Sequence, residues 1–292
     1  VLNIISECWY YLVTDYPYIS GNIIEIVIVL FAPIFVNKRF YYLVSIGTVL
    51  KFVIVLVIIQ DPSVLLPLLI VVLLAIIAYI LLHRFYSYVE AVKISYDKQL
   101  EGIVKGIIAT LELKDKYTRG HSERVASYAM SLAKATNKFK EEELASFYYA
   151  CLLHDIGKIN IPDSILSKPG KLTPEEFEII KSHPVVGANA VEQVEGISDY
   201  LDVIKHHHEG WDGKGYTDGL KDEETSLLAR VSAIADAFDA MTSSRSYRNA
   251  LPVSEAYNRI IEGSGTQFDP NLVSTFKDVY PDWENYHKIY HN

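Results

Sequence analysis

The stretch Cys151 to Lys158, C-L-L-H-D-I-G-K, sets a histidine and an aspartate side by side at the end of an apolar run. Upstream of it Leu144, Phe147, Tyr148, Cys151 and Leu152 recur at i, i+3, i+4, i+7 and i+8, which predicts an amphipathic helix over 141–155. Asp155 continues the core-facing stripe and His154 borders it. A carboxylate carried inward on an apolar face must be paired, protonated or bound to a cation, because desolvating an isolated charge is very costly. Gly157 is expected to stop the helix, with Lys158 just beyond it. By itself the pair reads more readily as an ordinary hydrogen-bonded couple or a helix-end charge. The reading therefore depends on whether further ligands converge on it.

The composition is uneven along the 292 residues. Of 36 acidic and 27 basic residues in total, only Glu7, Asp15, Glu25, Asp61 and Lys38, Arg39, Lys51 lie before Leu82. The remainder, 32 acidic and 24 basic, gives the polar portion a net charge of −8. That balance excludes a general binder of nucleic-acid polymers, whose mark is a basic face. Two cysteines, Cys8 and Cys151, supply neither a disulfide framework nor a thiolate zinc site, and Cys151 reads as a small core residue. The chain begins at Val1 instead of Met, so either a longer natural N-terminus or an unconventional start is expected.

Residues 64–82 run without a charge for long enough to cross a bilayer at 1.5 Å per residue. A second span is expected over 40–59, interrupted by Lys51, and a third over 23–36 extended back to about Tyr18. No small-residue cleavage site follows a short apolar core, so a removable signal peptide is not expected. Lys38 and Arg39 lie between the first two spans and His83 and Arg84 follow the last, which orients the C-terminal portion to the cytoplasm. Lys51 reads as a lysine facing the helix bundle, the alternative being a functional pair with Glu25. Beyond the membrane region, Phe85, Val89, Val92, Tyr96, Leu100, Ile103, Ile107 and Leu111 are spaced by three and four. This predicts a helical linker that pairs with a second subunit, although packing on its own catalytic domain would produce the same stripe. The expected organisation is a membrane region (1–83), a helical linker (84–112), a catalytic domain (113–280) and a C-terminal tail (281–292). The fold class is all-α, because helix signals such as the Thr173-Pro174-Glu175-Glu176 capping box abound and strand alternation is scarce.

More ligand types do converge. In I-S-D-Y-L-D-V-I-K-H-H-H-E, residues 197–209, the helical period of Ile197, Tyr200, Leu201 and Ile204 lands on His207 and His208 and turns His206 outward. Two adjacent imidazoles on a core face repel if protonated, so a shared metal explains them better than a solvated run. Asp236 lies on the apolar helix 226–242 beside Ala229, Ser232, Ala233 and Ala240, where a buried carboxylate needs a cation. His121 opens one helix and His183 precedes Pro184 at the end of another. Nitrogen and oxygen ligands without thiolates suit a first-row divalent ion, and their number is enough for two.

The segments D-K-Y-T-R-G-H-S-E-R-V (115–125), H-D-I-G-K (154–158) and H-P (183–184) are followed by H-H-E-G-W-D-G-K-G-Y (207–216), A-D-A-F-D-A-M-T-S-S-R-S-Y-R (235–248) and G-S-G-T-Q-F-D-P (263–270). In this order they resemble an HD-GYP domain, a subgroup of the HD phosphohydrolase superfamily, over about 115–280. The resemblance implies a cytoplasmic helical bundle around a binuclear centre of iron or manganese that hydrolyses the bacterial second messenger cyclic di-GMP to pGpG and GMP. One metal would take His121, His154, Asp155 and Asp236, and the other Asp155 as a bridge with His183, His207 and His208. Members with three metals carry a glutamate where this chain has Tyr117, so two are expected. Asp155 and Lys158 would act on the reacting phosphate, and Lys158, Gly213, Gly215, Tyr216, Asp239, Arg245 and Arg248 would hold the substrate. Two departures stand out: Thr217 replaces the proline of Gly-Tyr-Pro, and Gln267 stands where a histidine is common. The first bears on the stiffness of the loop and on its docking to diguanylate cyclase domains. The implied setting is the bacterial inner membrane, as a multi-pass homodimer. The competing expectations are an enzyme for another cyclic dinucleotide or nucleotide, and a membrane receptor that binds cyclic di-GMP without turnover.

Overall fold

The computed structural model describes residues 2–14, 23–115, 120–244 and 249–291, and all its regular elements are helices. The chain divides into two compact units, Val1–Lys98 and Gln99–Asn292. Tyr117, Arg245 and Arg248 lie outside the described residues, as do residues 18–22 of the first expected membrane span.

In the first unit α1 (Leu2–Thr14), α2 (Ile23–Phe31) and α3 (Lys38–Ile59) precede the start of α4 (Leu65–Lys114). Asn37 caps α3 by accepting from the backbone N–H of Arg39 and Phe40 at 3.0 and 3.1 Å. The α3 helix and the segment Pro62–Lys114 are long and apolar enough to cross a membrane. Both are apolar outward as well as inward: Leu43, Ile46 and Val57 on α3 and Leu66, Leu69 and Leu73 on α4 are exposed. That is the pattern of helices whose solvent is hydrocarbon. Lys51 is buried in this unit, in agreement with a bundle-facing lysine, while the side chain of Glu25 lies outside the described residues.

The second unit begins within α4 and contains α5 (His121–Ala135), α6 (Glu141–Leu152), α7 (Asp163–Leu166), α8 (Pro174–Ile180), α9 (His183–Val191), α10 (Leu201–His206), α11 (Leu227–Thr242), α12 (Val253–Glu262) and α13 (Pro270–His291). The apolar faces of α5, α6, α10, α11 and α13 meet in one core that includes Leu132, Phe147, Ile204, Phe238 and Phe276. The stripe expected on α4 splits in two. Val104, Ile108 and Leu111 are buried, and Leu100 and Ile107 pack against the core of the second unit, whereas Phe85, Val89, Val92, Tyr96 and Ile103 are exposed.

The expected domain boundary at residue 280 falls inside α13, which continues through Pro281 to His291. The physical reason is Trp283, which is 1% exposed, with ring centroids 4.7 Å from Tyr128 and 5.0 Å from both Phe238 and Phe276. One turn later the Tyr286 hydroxyl donates to Ser127 Oγ at 3.1 Å. Trp283→Ala should therefore destabilise the catalytic unit by about 3–5 kcal/mol, read as a lowered midpoint in thermal unfolding of the full chain.

Candidate metal centre

Two short non-helical segments deliver the central ligands. The α6 helix ends at Leu152, three residues before the expected end, so His154 and Asp155 sit in the turn that follows it. His154 Nδ1–H donates to the carbonyl of Cys151 at 2.6 Å, and that side-chain bond competes with continuation of the helix. Gly157 belongs to a 3₁₀ turn over Ile156–Asn160, and its role is close approach: a Cβ there would overlap the carbonyl of His183. The backbone that follows Asp155 is thereby pressed against the start of α9 and His183.

Three imidazoles share one anchoring device. Nδ1–H of His154, His183 and His207 donates to the carbonyl three residues upstream, at 2.6, 2.7 and 2.8 Å. Each ring is thus held in the tautomer whose Nε2 carries a lone pair, and all three Nε2 atoms are buried and make no hydrogen bond. His121 is oriented differently, donating from Nδ1 to Asp239 Oδ2 at 2.7 Å, with its Nε2 turned inward 3.3 Å from Asp236 Oδ1. Asp239 is fully buried and also takes a two-pronged contact from Arg124, Nε at 2.6 Å and Nη2 at 3.0 Å. Asp239, expected at the substrate, therefore stands behind His121 as a positioning residue. Neither it nor Arg124 was assigned this part from sequence. The available signal was their i+3 spacing from Asp236 and His121, which puts each on its ligand's helical face.

Asp155 lies between two groups of histidines and is 2% exposed. Its Oδ2 is 3.7 Å from His121 Nε2 and 3.5 Å from His154 Nε2, and its Oδ1 is 3.2 Å from His183 Nε2. Ligand atoms of His121, His154 and Asp155 form one compact group, and those of Asp155, His183, His207 and His208 form another, each within 4.8 Å. Asp236 joins the first side, with Oδ1 3.3 Å from His121 Nε2, and faces His208 Nδ1 at 3.9 Å through Oδ2. All seven ligands expected from sequence are thus brought together, while His206 turns away to Asp202 and Asp218. The arrangement fits divalent cations: inward lone pairs without donors, a carboxylate with one oxygen for each side, and no thiolate.

Electrostatics agree with the geometry. Burial would raise the carboxyl of Asp155, but the Lys158 ammonium lying against it and His154 beside it hold it well below the usual range. Asp236 is likewise held low, chiefly by His121 acting against burial. Burial lowers His207 well below its ordinary value and brings His208 down to about 3, so both are neutral and ready to coordinate at pH 7. For His121 burial alone would do the same, but Asp236 and Asp239 override it and push it up to about 9. Burial pushes the Cys151 thiol up to about 12, consistent with an inert core residue beside Ser232 Oγ at 3.3 Å.

The centre opens into a cavity of about 250 Å³ lined by Lys158, His121, His183, His208, Asp236 and Tyr216 among others. Tyr216 packs at a tilt on His208 with centroids 4.7 Å apart and also borders a second cavity of about 590 Å³. Gly215 lines that second cavity, and its lack of a Cβ is required by the backbone of Gly210 and His208 packed against it. Gly213, expected at the ligand, lines neither cavity; it takes φ +74° in the outer turn of the loop, near Gly219 and Lys221. Thr217 Oγ1 donates to the carbonyl of Lys205 at 3.2 Å, a tether that proline would lack. Glu209, missed in the sequence reading although it directly follows His208, is 5% exposed and accepts from the N–H of Asp218 and Gly219 at 2.6 and 3.0 Å. It fixes the loop to the ligand-bearing segment.

Metal binding on the His121 side should depend on pH. His121 carries a proton below about pH 9 and must lose it to coordinate, so metal affinity on its side rises with pH by about tenfold per unit. His207 and His208 have no proton to lose at neutral pH and add nothing to this dependence. Calorimetric titration of metal-free protein with Mn²⁺ at pH 6.5 and 8.5 should show the affinity on the His121 side strengthening.

Comparison with known proteins places this geometry. Residues 106–272 match the HD domain family, and residues 1–83 match a second family, MASE12. A probable cyclic di-GMP phosphodiesterase of Vibrio cholerae is 36% identical over 195 residues, covering 62% of this chain and 44% of that protein. A cyclic di-GMP phosphodiesterase of Thermotoga maritima is 41% identical over 167 residues, covering 56% of this chain and 45% of that protein. The chain thus spans less than half the length of each of these relatives. Among solved structures, a cyclic GMP-AMP specific phosphodiesterase of Vibrio cholerae shares the fold, with a TM-score of 0.50 and 19% identity over 65% of this chain and 51% of that one. With more than half of its residues matched, and with the histidine–aspartate centre built on the helices of that match, the chain belongs to the HD domain family.

Proposed function

We propose that this protein is a metal-dependent phosphodiesterase that hydrolyses cyclic di-GMP to pGpG and GMP. The observation that carries the reading is Asp155, whose two oxygens are divided between two groups of buried, donor-free imidazoles. His121, His154, Asp155 and Asp236 would hold one ion, and Asp155, His183, His207 and His208 the other. Iron or manganese suits this nitrogen and oxygen set. When bound, such ions supply Lewis acidity to the phosphoryl group and lower the pKa of water enough for attack at neutral pH. The residues do the rest. Lys158 lines the cavity beside Asp155 and would neutralise a non-bridging phosphate oxygen. Tyr216, packed on His208 between the two cavities, would bound the substrate's base or ribose. Asp239, braced by Arg124, would keep the His121 ring turned with Nε2 towards the ion.

The names of the relatives support the choice of substrate. The direct test is cyclic di-GMP hydrolysis by the purified full chain loaded anaerobically with iron or manganese, beside Asp155→Ala. Turnover by the parent, with a loss of at least about 10³-fold in the variant, is expected. Turnover of a different cyclic dinucleotide in preference to cyclic di-GMP would reassign the substrate, and two bound metals without turnover of any would favour a receptor.

The same reading places the protein in the bacterial inner membrane as a multi-pass homodimer with its catalytic unit in the cytoplasm. Two apolar helices and the residues Lys38, Arg39, His83 and Arg84 at their ends support the membrane placement. The exposed Phe85, Val89, Val92, Tyr96 and Ile103 follow spacings of four, three, four and seven, a heptad seam that a second copy would cover. Val92→Glu should shift the full chain in detergent from dimer to monomer in light-scattering chromatography.

A further inference from the structure

We infer that Lys168 is the binding site for the substrate's second phosphate, an assignment that rests on the proposed cyclic dinucleotide reading. A cyclic dinucleotide carries two phosphodiesters, each a monoanion at neutral pH. Cutting one at the histidine–aspartate centre leaves the other to be held elsewhere in the same cavity. Among the described residues that line this cavity, the permanent cations are Lys158 and Lys168. Lys158 lies against Asp155 and serves the phosphate being cut.

Lys168 is built for a fixed position. Its ammonium donates to both oxygens of Glu176, at 2.8 and 2.6 Å. Glu176 is itself anchored, accepting from the Thr173 N–H at 2.7 Å as the reciprocal half of the capping box that starts α8. An ammonium has three N–H donors, so two held by Glu176 leave one for a phosphate oxygen. Lys168 lines the cavity and Glu176 does not, so the positive member of the pair is the one presented to the ligand. The same cavity is lined by Leu172, Phe177 and Ile180, apolar side chains suited to a nucleoside face. The second cavity has Lys181 and Lys214, but Lys181 pairs with Glu178, whose side chain is 70% exposed, and the Lys214 side chain is 85% exposed beside Asp212, so neither is held as Lys168 is by the capping-box Glu176. A ligand with a single phosphodiester has no use for Lys168. That difference separates a ligand contact from a structural role.

The test is steady-state kinetics of the manganese-loaded full chain on cyclic di-GMP and on bis(p-nitrophenyl) phosphate, which has one phosphodiester, with parent, Lys168→Ala and Lys168→Arg. In Lys168→Ala we expect KM for cyclic di-GMP to rise about 10- to 100-fold, with kcat within about threefold. Binding of a fluorescent cyclic di-GMP should weaken by the same factor. Turnover of bis(p-nitrophenyl) phosphate should not change, and Lys168→Arg should recover most of the loss. Equal losses on both probes would mean that Lys168 supports the fold or the centre, and no change on either would mean that it touches no phosphate; each overturns the assignment alone. A parent that cleaves bis(p-nitrophenyl) phosphate but neither binds nor cleaves cyclic dinucleotides would overturn the substrate reading and this assignment with it.

Discussion

Seven imidazole and carboxylate groups share one nearly dry site, and their mutual electrostatics constrain everything around it. In a low-dielectric interior such groups are tolerated only when charges compensate. The protein meets that demand in part by itself: Lys158 lies on Asp155, and His121 is biased towards its charged form by Asp236 and Asp239. These are the same fields that draw a divalent ion. Binding a cation would therefore cost His121 its proton, whereas His207 and His208 are already neutral.

Precision comes from short segments held by the backbone. Three of the histidines take their tautomer from a carbonyl three residues upstream, so the local chain orients the ring without a dedicated partner side chain. His121 starts a helix and takes its orientation from a side chain, Asp239 on α11. Arg124 then neutralises Asp239 within the same buried triad. Gly157 and Gly215 serve this architecture by absence of side chain, letting the segments of His183 and His208 approach their neighbours.

The long α4 helix carries two unlike faces. Its C-terminal part is covered by the catalytic core, and its last turn touches segments next to the centre: Glu112 accepts from the Gly120 N–H at 2.6 Å, and Lys114 donates to the carbonyl of Ile159. A displacement of this helical end would be felt on both sides of the cavity, next to His121 and just beyond Lys158. The physical continuity between linker and centre is therefore a matter of hydrogen bonds as well as chain connectivity.

The sequence by itself determined the helical class, the apolar front end, and which histidines and aspartates converge. Those features follow from periodicity and from the cost of burying charge, both of which are local properties of the chain. His207 and His208 were legible as facing the centre for this reason, whereas His206, expected outward, points away from the centre but is buried between Asp202 and Asp218. Only the tertiary structure decided the roles that depend on approach between distant segments. Asp239 could be placed behind His121 rather than at the ligand only once α5 and α11 were packed. Gly157 reads as a helix stop until α9 lies against it, and 281–291 reads as a tail until Trp283 is seen among Tyr128, Phe238 and Phe276. The same holds for the stripe on α4, whose spacing is uniform while its burial is not, because spacing is a property of one helix and burial needs a second surface.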